Sequence, residues 1–177
     1  MTISPVYHGA PAQERPIGER RCYETLDVLH IAYDRVDHDP ADTMEDCAAI
    51  GAVLGTEICK NLVLTPRNRS AFYLLCMPGD KPFVTKEFSG QIGSSRLSFA
   101  TAEDMEELLG CHPGSASLLG LMNDTAHRVV LAVDRAVWQA EWFGCHPCKN
   151  TSSLKIRTED IRRFLAFTGH EATIVEL

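Results

Sequence analysis

The segment from residue 110 to residue 124 constrains the fold most, because it places a long loop between a predicted helix and a predicted strand. It contains three glycines, one proline and two serines, and it ends in Asn-Asp. Glycine lets the backbone approach a ligand closely, and N–H or hydroxyl groups in such a loop can donate hydrogen bonds to an oxyanion. Loops of this length inside compact domains usually carry function. The segment therefore predicts a ligand-binding loop within a packed domain.

Helix and strand patterns alternate on both sides of this loop. Thr43 and Thr101 each stand three residues before an aspartate, an arrangement typical of a capping box at the start of a helix. Further helices are predicted at 22–29, 85–92, from Asp134 to 140 and from Thr158 to 169, and strands at 30–36, 58–64, 71–77, 127–133, 152–156 and 172–175. Because these helices and strands alternate without a regular βαβ order, we predict an α/β fold with a mixed sheet flanked by helices.

The length of 177 residues fits one domain with a small appendage. Residues 1–20 contain three prolines and no apolar periodicity, so they are predicted to form an N-terminal arm, with the domain spanning 21–177. No apolar run reaches transmembrane length and no leader pattern opens the chain, which predicts a cytoplasmic protein with no membrane contact.

The charge and cysteine content narrow the function class. A net charge of −7 argues against broad, non-specific nucleic-acid binding, although a small basic patch that holds a nucleic-acid end remains compatible with it. The seven cysteines form an odd set without the spacing of a disulfide framework, which predicts reduced thiols.

Lys60 stands out in the strand pattern because it lies in phase with Leu62 and Leu64. Burying its charge costs several kcal/mol unless partners compensate. Either its stem packs while the ammonium reaches water, or the ammonium reaches a cleft and stabilises a carbonyl, phosphate or leaving oxygen. Asn61 points to the opposite face of an ideal strand, so a role for both residues needs a bulge or a ligand at the strand end.

Two generic site chemistries have weak support. A serine hydrolase with Ser115 as nucleophile and His146 as base lacks the Gly-x-Ser-x-Gly elbow, and no acid is evident to orient the histidine. A structural zinc site usually needs two closely spaced pairs of ligands, but only one is found among Cys111, His112, Cys145 and Cys148. We therefore predict no metal.

Several segments together resemble the YbaK/ProX family of free-standing prolyl-tRNA deacylases, which are related to the editing domain of bacterial prolyl-tRNA synthetases. Cys59–Leu64 resembles the Lys-Asn-Leu strand of that family, whose lysine is essential, and 113–124 resembles its substrate-binding loop. The segments 96–100 and 146–152 resemble the strand before the third helix and a His-Pro…Asn-Thr segment. One departure is Leu118-Leu119, which replaces the usual Pro-Phe of the loop.

This resemblance implies a mixed, mainly antiparallel sheet, partly closed into a barrel and flanked by helices. It implies hydrolysis of the ester in mischarged proline tRNA, above all Ala-tRNA(Pro), without a cofactor. Clearance of serine, 2-aminobutyrate or cysteine, or a non-catalytic regulator that binds tRNA or the synthetase, remain alternatives. The implied partner is the acceptor end of tRNA(Pro), and docking on prolyl-tRNA synthetase stays open.

The resemblance also assigns residues to roles. The catalytic group comprises the essential lysine and the loop that stabilises the oxyanion, namely Lys60, Gly114, Ser115 and Ala116. The substrate-binding group comprises Asn61, Ser117, Leu118, Asn123 and His146. The basic residues themselves, independently of the resemblance, predict a local rim that grips phosphates near an RNA end, formed by Arg67, Arg96 and Lys149.

Overall fold

The computed structural model describes all residues from 1 to 177. It contains nine strands, β1 to β9, at Tyr7–His8, Tyr33–Asp37, Lys60–Pro66, Phe72–Met77, Leu97–Phe99, Val129–Asp134, Trp142–Cys145, Ser152–Arg157 and Ala172–Val175. Six α-helices, α1 to α6, span Ile17–Val28, Met44–Leu54, Thr85–Ile92, Ala102–Leu109, Arg135–Gln139 and Thr158–Thr168. A 3-10 helix at Leu118–Asn123 follows the glycine-containing loop.

The strands form two sheets rather than one. The first has the order β1-β2-β8-β7 and is antiparallel throughout. The second has the order β5-β3-β4-β6-β9, in which only the β4–β6 and β6–β9 pairs are parallel. The prediction of a mixed, mainly antiparallel α/β fold is confirmed.

The expectation of a partly closed barrel is wrong. Backbone pairing joins the two sheets only at an isolated bridge between Ile58 and Gly144, reinforced by a hydrogen bond from the N–H of Cys59 to the carbonyl of Gly144 at 2.9 Å. No ladder continues from this bridge, so each sheet stays open. A barrel needs an unbroken ring of paired strands.

The main hydrophobic core lies between the sheets and includes the 3-10 helix, whose Leu118 and Leu119 are fully buried. A second core, around Phe88, packs α3 against the other face of the five-stranded sheet. A third packs α2 through Ile50 and Leu54. The burial of Leu118 and Leu119 in the main core therefore holds the C-terminal end of the preceding loop in place.

At most helix ends, the capping residues predicted from the sequence begin or end the helix as expected. Both predicted capping boxes form, and Gly110 ends α4 with a φ of 63° that favours glycine. Thr158 is the exception, because Arg157 occupies the N-cap of α6 and the N–H of Thr158 donates to the carbonyl of Glu141. The prediction that Thr158 caps this helix is wrong.

Residues 1–20, expected to form an arm, contribute β1 and the first turn of α1. β1 pairs with β2 through Tyr7 opposite Arg35. No helix is both long enough and apolar enough to cross a membrane.

Candidate functional site

Several residues predicted from the sequence meet in a cleft of about 360 Å³ at the edge of the five-stranded sheet. The walls come from the start of β3, the end of β5, the segment before α2 and the glycine loop. The predicted residues that line this cleft are Lys60, Asn61, Gly114, Ala116 and His146.

A larger groove of about 700 Å³ lies beside the cleft and shares Met44 and Cys47 with it. Its walls are formed by α2, the segment Thr56–Ile58 and Gly79-Asp80. None of the predicted site residues lines this groove, so volume alone does not identify the site. The smaller cleft is the candidate because the polar groups converge there.

The first half of β3 is an open strand edge inside the cleft. β5 pairs with β3 only from Leu64 to Pro66, and one further hydrogen bond joins the N–H of Ala100 to the carbonyl of Val63 at 2.8 Å. Because backbone groups alternate in direction along an antiparallel strand, the N–H and C=O of Asn61 point to the same side as those of Val63. No strand pairs with them there, so they are available to a ligand.

The side chain of Asn61 adds an unsatisfied acceptor. Its Nδ2 donates to the carbonyl of Cys59 at 3.2 Å, while its buried Oδ1 has no hydrogen-bond partner. Buried polar atoms are nearly always paired in folded proteins. Oδ1 is sealed from the cleft, so the groups of Asn61 that a ligand can reach are the N–H and C=O on the open edge of β3.

The ammonium of Lys60 is an uncompensated charge. It donates to the carbonyl of Lys81 at 2.6 Å and forms no ion pair, whereas the neighbouring ammonium of Lys81 is paired with Asp134 at 3.0 Å. An ammonium carries three donors, so two remain for a ligand oxygen. β3 keeps an unbroken register from Lys60 to Leu64, so Lys60 and Asn61 share the cleft because it wraps around the strand end rather than through a bulge.

The glycine loop presents backbone donors. The φ of Gly114 is 84°, a left-handed conformation that glycine adopts without strain. The N–H groups of Gly114 and Ala116 make no hydrogen bond within the protein, and both residues line the cleft. Two free N–H donors on alternate residues form a site suited to an oxyanion.

The loop serines point inward and hold this conformation. The hydroxyl of Ser115 accepts from the N–H of His112 and donates to its carbonyl, both at 3.0 Å, and only 3% of the residue is exposed. The hydroxyl of Ser117 accepts from the N–H of Leu119 at 3.2 Å. Since no serine lines the cleft, the serine-hydrolase hypothesis has no nucleophile in place.

His146 is a neutral imidazole at the base of the cleft. Its Nδ1 lies 2.9 Å from the carbonyl of Ser152, and because a carbonyl only accepts, Nδ1 carries the proton. Burial lowers the pKa of His146 to about 4. Nε2 has no hydrogen-bond partner, although it is not sealed from the cleft. The ring therefore offers a free acceptor at neutral pH.

A second histidine supports this orientation. Nδ1 of His38 donates to the carbonyl of Asp39 at 2.8 Å, so its Nε2 accepts from the hydroxyl of Ser153 at 2.9 Å. The same hydroxyl lies 3.1 Å from Nδ1 of His146. Burial lowers the pKa of His38 as well. This chain of contacts fixes the tautomer of His146.

Other predicted residues lie away from the cleft. Leu118 is fully buried in the main core, and Nδ2 of Asn123 donates to the carbonyl of Leu109 at 2.9 Å. Arg67 and Arg96 flank the last paired residues of β3 and β5, Pro66 and Leu97, at the far end of β3 from Lys60. Neither these arginines nor Lys149 forms an ion pair, so all three cations remain free to bind phosphate.

Sequence patterns missed two features of the cleft. Phe99 lines it with 63% of its surface exposed, and His38 supports it from behind. The available signal for Phe99 was a phenylalanine on the solvent side of a short edge strand.

Two cysteines, Cys47 and Cys59, also line the cleft, but burial raises the pKa of both thiols. No group of three or more acidic, histidine or cysteine side chains is placed to hold a metal ion.

Comparisons with known proteins give relatives that are described as tRNA-editing proteins. A model of the aminoacyl-tRNA editing domain matches residues 38–164. The prolyl-tRNA editing protein ProX of Acetoanaerobium sticklandii is 28% identical, with 86% of this chain and 93% of the relative covered. The prolyl-tRNA synthetase associated domain-containing protein 1 of Danio rerio is 29% identical, over 86% and 83% of the two chains. A crystal structure described as a candidate trans-editing enzyme for prolyl tRNA synthetase has the same fold, with a TM-score of 0.68, 18% identity and coverage of 93% and 99%.

Proposed function

The chain belongs to the aminoacyl-tRNA editing domain family, and from this premise we propose that it hydrolyses the ester of mischarged proline tRNA, with Ala-tRNA(Pro) as its main substrate. The names of the relatives support the proline system. One structural observation carries the proposal: the unpaired N–H groups of Gly114 and Ala116 share a cleft with the uncompensated ammonium of Lys60.

The chemical step needs stabilisation of an oxyanion and a positioned water. The N–H groups of Gly114 and Ala116 donate to the ester carbonyl oxygen as charge develops on it. Water adds to the carbonyl carbon, the bond to the ribose oxygen breaks, and the proton of the water passes to that oxygen. The substrate's neighbouring ribose hydroxyl is suited to relay this proton, so the step needs no protein nucleophile.

The side chains position the reactants. Lys60 binds a ribose or phosphate oxygen, and the backbone carbonyl of Asn61, on the open edge of β3, accepts from the α-amino group of the aminoacyl moiety. Nε2 of His146 accepts from the attacking water. With a pKa of about 4, His146 is too weak a base to carry the water's proton at neutral pH, so its role is orientation.

Alanine is the preferred target because a synthetase pocket built for a larger side chain cannot strongly reject a smaller one. The cleft offers the apolar groups of Val63, Met105 and Ala116 to a methyl-sized side chain. We further propose that residues 21–177 form the editing domain, that residues 1–20 act as an arm, and that the acceptor end of tRNA(Pro) is the partner in the cytoplasm. The basic rim of Arg67, Arg96 and Lys149 supports this partner.

Deacylation of proline tRNA charged with alanine, serine, 2-aminobutyrate, cysteine or proline tests the proposal. We expect rapid release of alanine, with Pro-tRNA(Pro) spared. Faster release of another small residue would change the specificity but keep the reaction. A folded protein that binds the tRNA and releases none of the five would contradict the proposal and favour a non-catalytic regulator.

A further inference from the structure

Phe99 presents an exposed aromatic ring at the mouth of the cleft. Tyr7, Phe99 and Phe167 are the exposed aromatic residues of the chain, and of these only Phe99 lines the cleft. It lies at the end of β5, and 63% of its surface is exposed. Ligand clefts are commonly lined by aromatic side chains, so a ring at this position is suited to contact a ligand bound in the cleft.

The ring is held in place by other rings. Phe83 lies behind it with centroids 6.2 Å apart, and Phe88 follows at 6.1 Å from Phe83. Phe88 is a fully buried residue of α3, so this row of rings is anchored in the second core. The backbone is fixed as well, because Phe99 pairs with Leu64 of β3. Phe99 is therefore a preorganised surface, and ordering it on binding costs little entropy.

We propose that Phe99 stacks against the terminal adenine of the tRNA acceptor end, an inference that rests on the proposed function. The ester is attached to the ribose of that nucleotide, so only the sugar separates the reacting carbonyl from the base. An ester bound at Gly114 and Ala116 thus places its base at the rim of the same cleft, where Phe99 lies. Stacking on an aromatic ring is a common way to hold an unpaired base.

Two arginines outside the cleft, Arg67 and Arg96, supply cations further along the strands from Phe99. Arg96 lies three residues before Phe99, a distance of about 10 Å along an extended chain. Arg67 and Arg96 flank the last paired residues of β3 and β5, Pro66 and Leu97, and neither arginine forms an ion pair. Phosphates of the nucleotides that precede the terminal one can reach this pair while the base rests on Phe99. The single strand then runs from the two arginines, over Phe99, to the glycine loop.

Kinetics with a matched pair of substrates test the stacking. Phe99→Ala is expected to raise KM for Ala-tRNA(Pro) about tenfold with kcat nearly unchanged, and Phe99→Trp is expected to restore it. The alanyl ester of adenosine should be a better substrate than the alanyl ester of ribose for the wild type, and Phe99→Ala should remove this preference. Phe167→Ala is the control, because Phe167 is 57% exposed but lies on α6 outside the cleft.

A binding experiment separates this inference from the proposed reaction. A short RNA hairpin ending in CCA should bind the wild type more tightly than the same hairpin ending in an abasic ribose, and Phe99→Ala should bind both equally. Equal binding of the two hairpins by the wild type overturns the inference even if the ester is hydrolysed. Loss of prolyl-tRNA synthetase binding in Phe99→Ala, with unchanged binding of both hairpins, also overturns it and assigns the ring to a protein partner.

Discussion

The buried imidazole of His146 makes the free energy of unfolding depend on pH. The side chain is 5% exposed, and burial lowers its pKa from the usual 6.5 to about 4. Between these two values the unfolded chain binds a proton that the folded protein does not, so the free energy of unfolding rises with pH. The contribution of His146 is complete above about pH 6.5 and is lost progressively as the pH falls towards 4.

The size of this effect follows from the two pKa values. At about 1.36 kcal/mol for each unit, lowering the pH from about 7.5 to about 4.5 should remove about 2.5 kcal/mol of stability through this residue alone. That is a substantial part of the stability of an ordinary domain, which is about 5–15 kcal/mol. The effect is therefore large enough to measure by urea unfolding.

The assay compares wild type, His146→Asn and His30→Gln at the two pH values. The amide nitrogen of asparagine can replace Nδ1 as donor to the carbonyl of Ser152, but it does not titrate. We expect His146→Asn to lose about 2.5 kcal/mol less than the wild type on acidification, while the exposed His30 control behaves as the wild type does. If His146→Asn kept the full pH dependence, the reasoning from burial would be refuted.

Two further changes address the cleft directly. Lys60→Met keeps the apolar stem but removes the uncompensated charge, so deacylation of Ala-tRNA(Pro) should fall by about 100-fold, the loss expected for one charge-stabilising contact. The control is Lys86→Met at an exposed position, which should leave the rate unchanged. Normal turnover by a folded Lys60→Met protein would exclude Lys60 from the site. Gly114→Ala should cost about 1 kcal/mol in urea unfolding because of the positive φ, and should also slow deacylation. Gly93→Ala is its control, since Gly93 has a φ of 69° and open space around it but lies outside the cleft. Equal rates for the two glycine variants would contradict a role of the Gly114 loop in catalysis.

Local signals in the sequence were sufficient for much of the secondary structure. The capping residues Thr43 and Thr101 acted as predicted because they satisfy N–H groups only three residues away. The bounds predicted for α3 and β9 match those observed. β7 was missed, because its four residues include a glycine and are stabilised by pairing with β8, which a local pattern does not reveal.

Contacts between distant segments decided the rest of the site. The Lys60–Asn61 pair was visible in the sequence, but the orphaned Oδ1 of Asn61 and the carbonyl of Lys81 that holds Lys60 are set by strand ends and a loop that lie apart along the chain. Ser115 looked like a site group, and only the folded loop shows that its hydroxyl is engaged with His112.

The sequence by itself determined the positions of most helices and strands, the glycine loop and the family to which the chain belongs, because these depend on residues close together in the chain. The tertiary structure alone decided that the strands divide into two open sheets, that His146 is neutral, and that Phe99 remains exposed beside the loop. The reason is physical: pairing partners, burial and solvation depend on which distant groups surround a residue, and its neighbours in the sequence do not specify them.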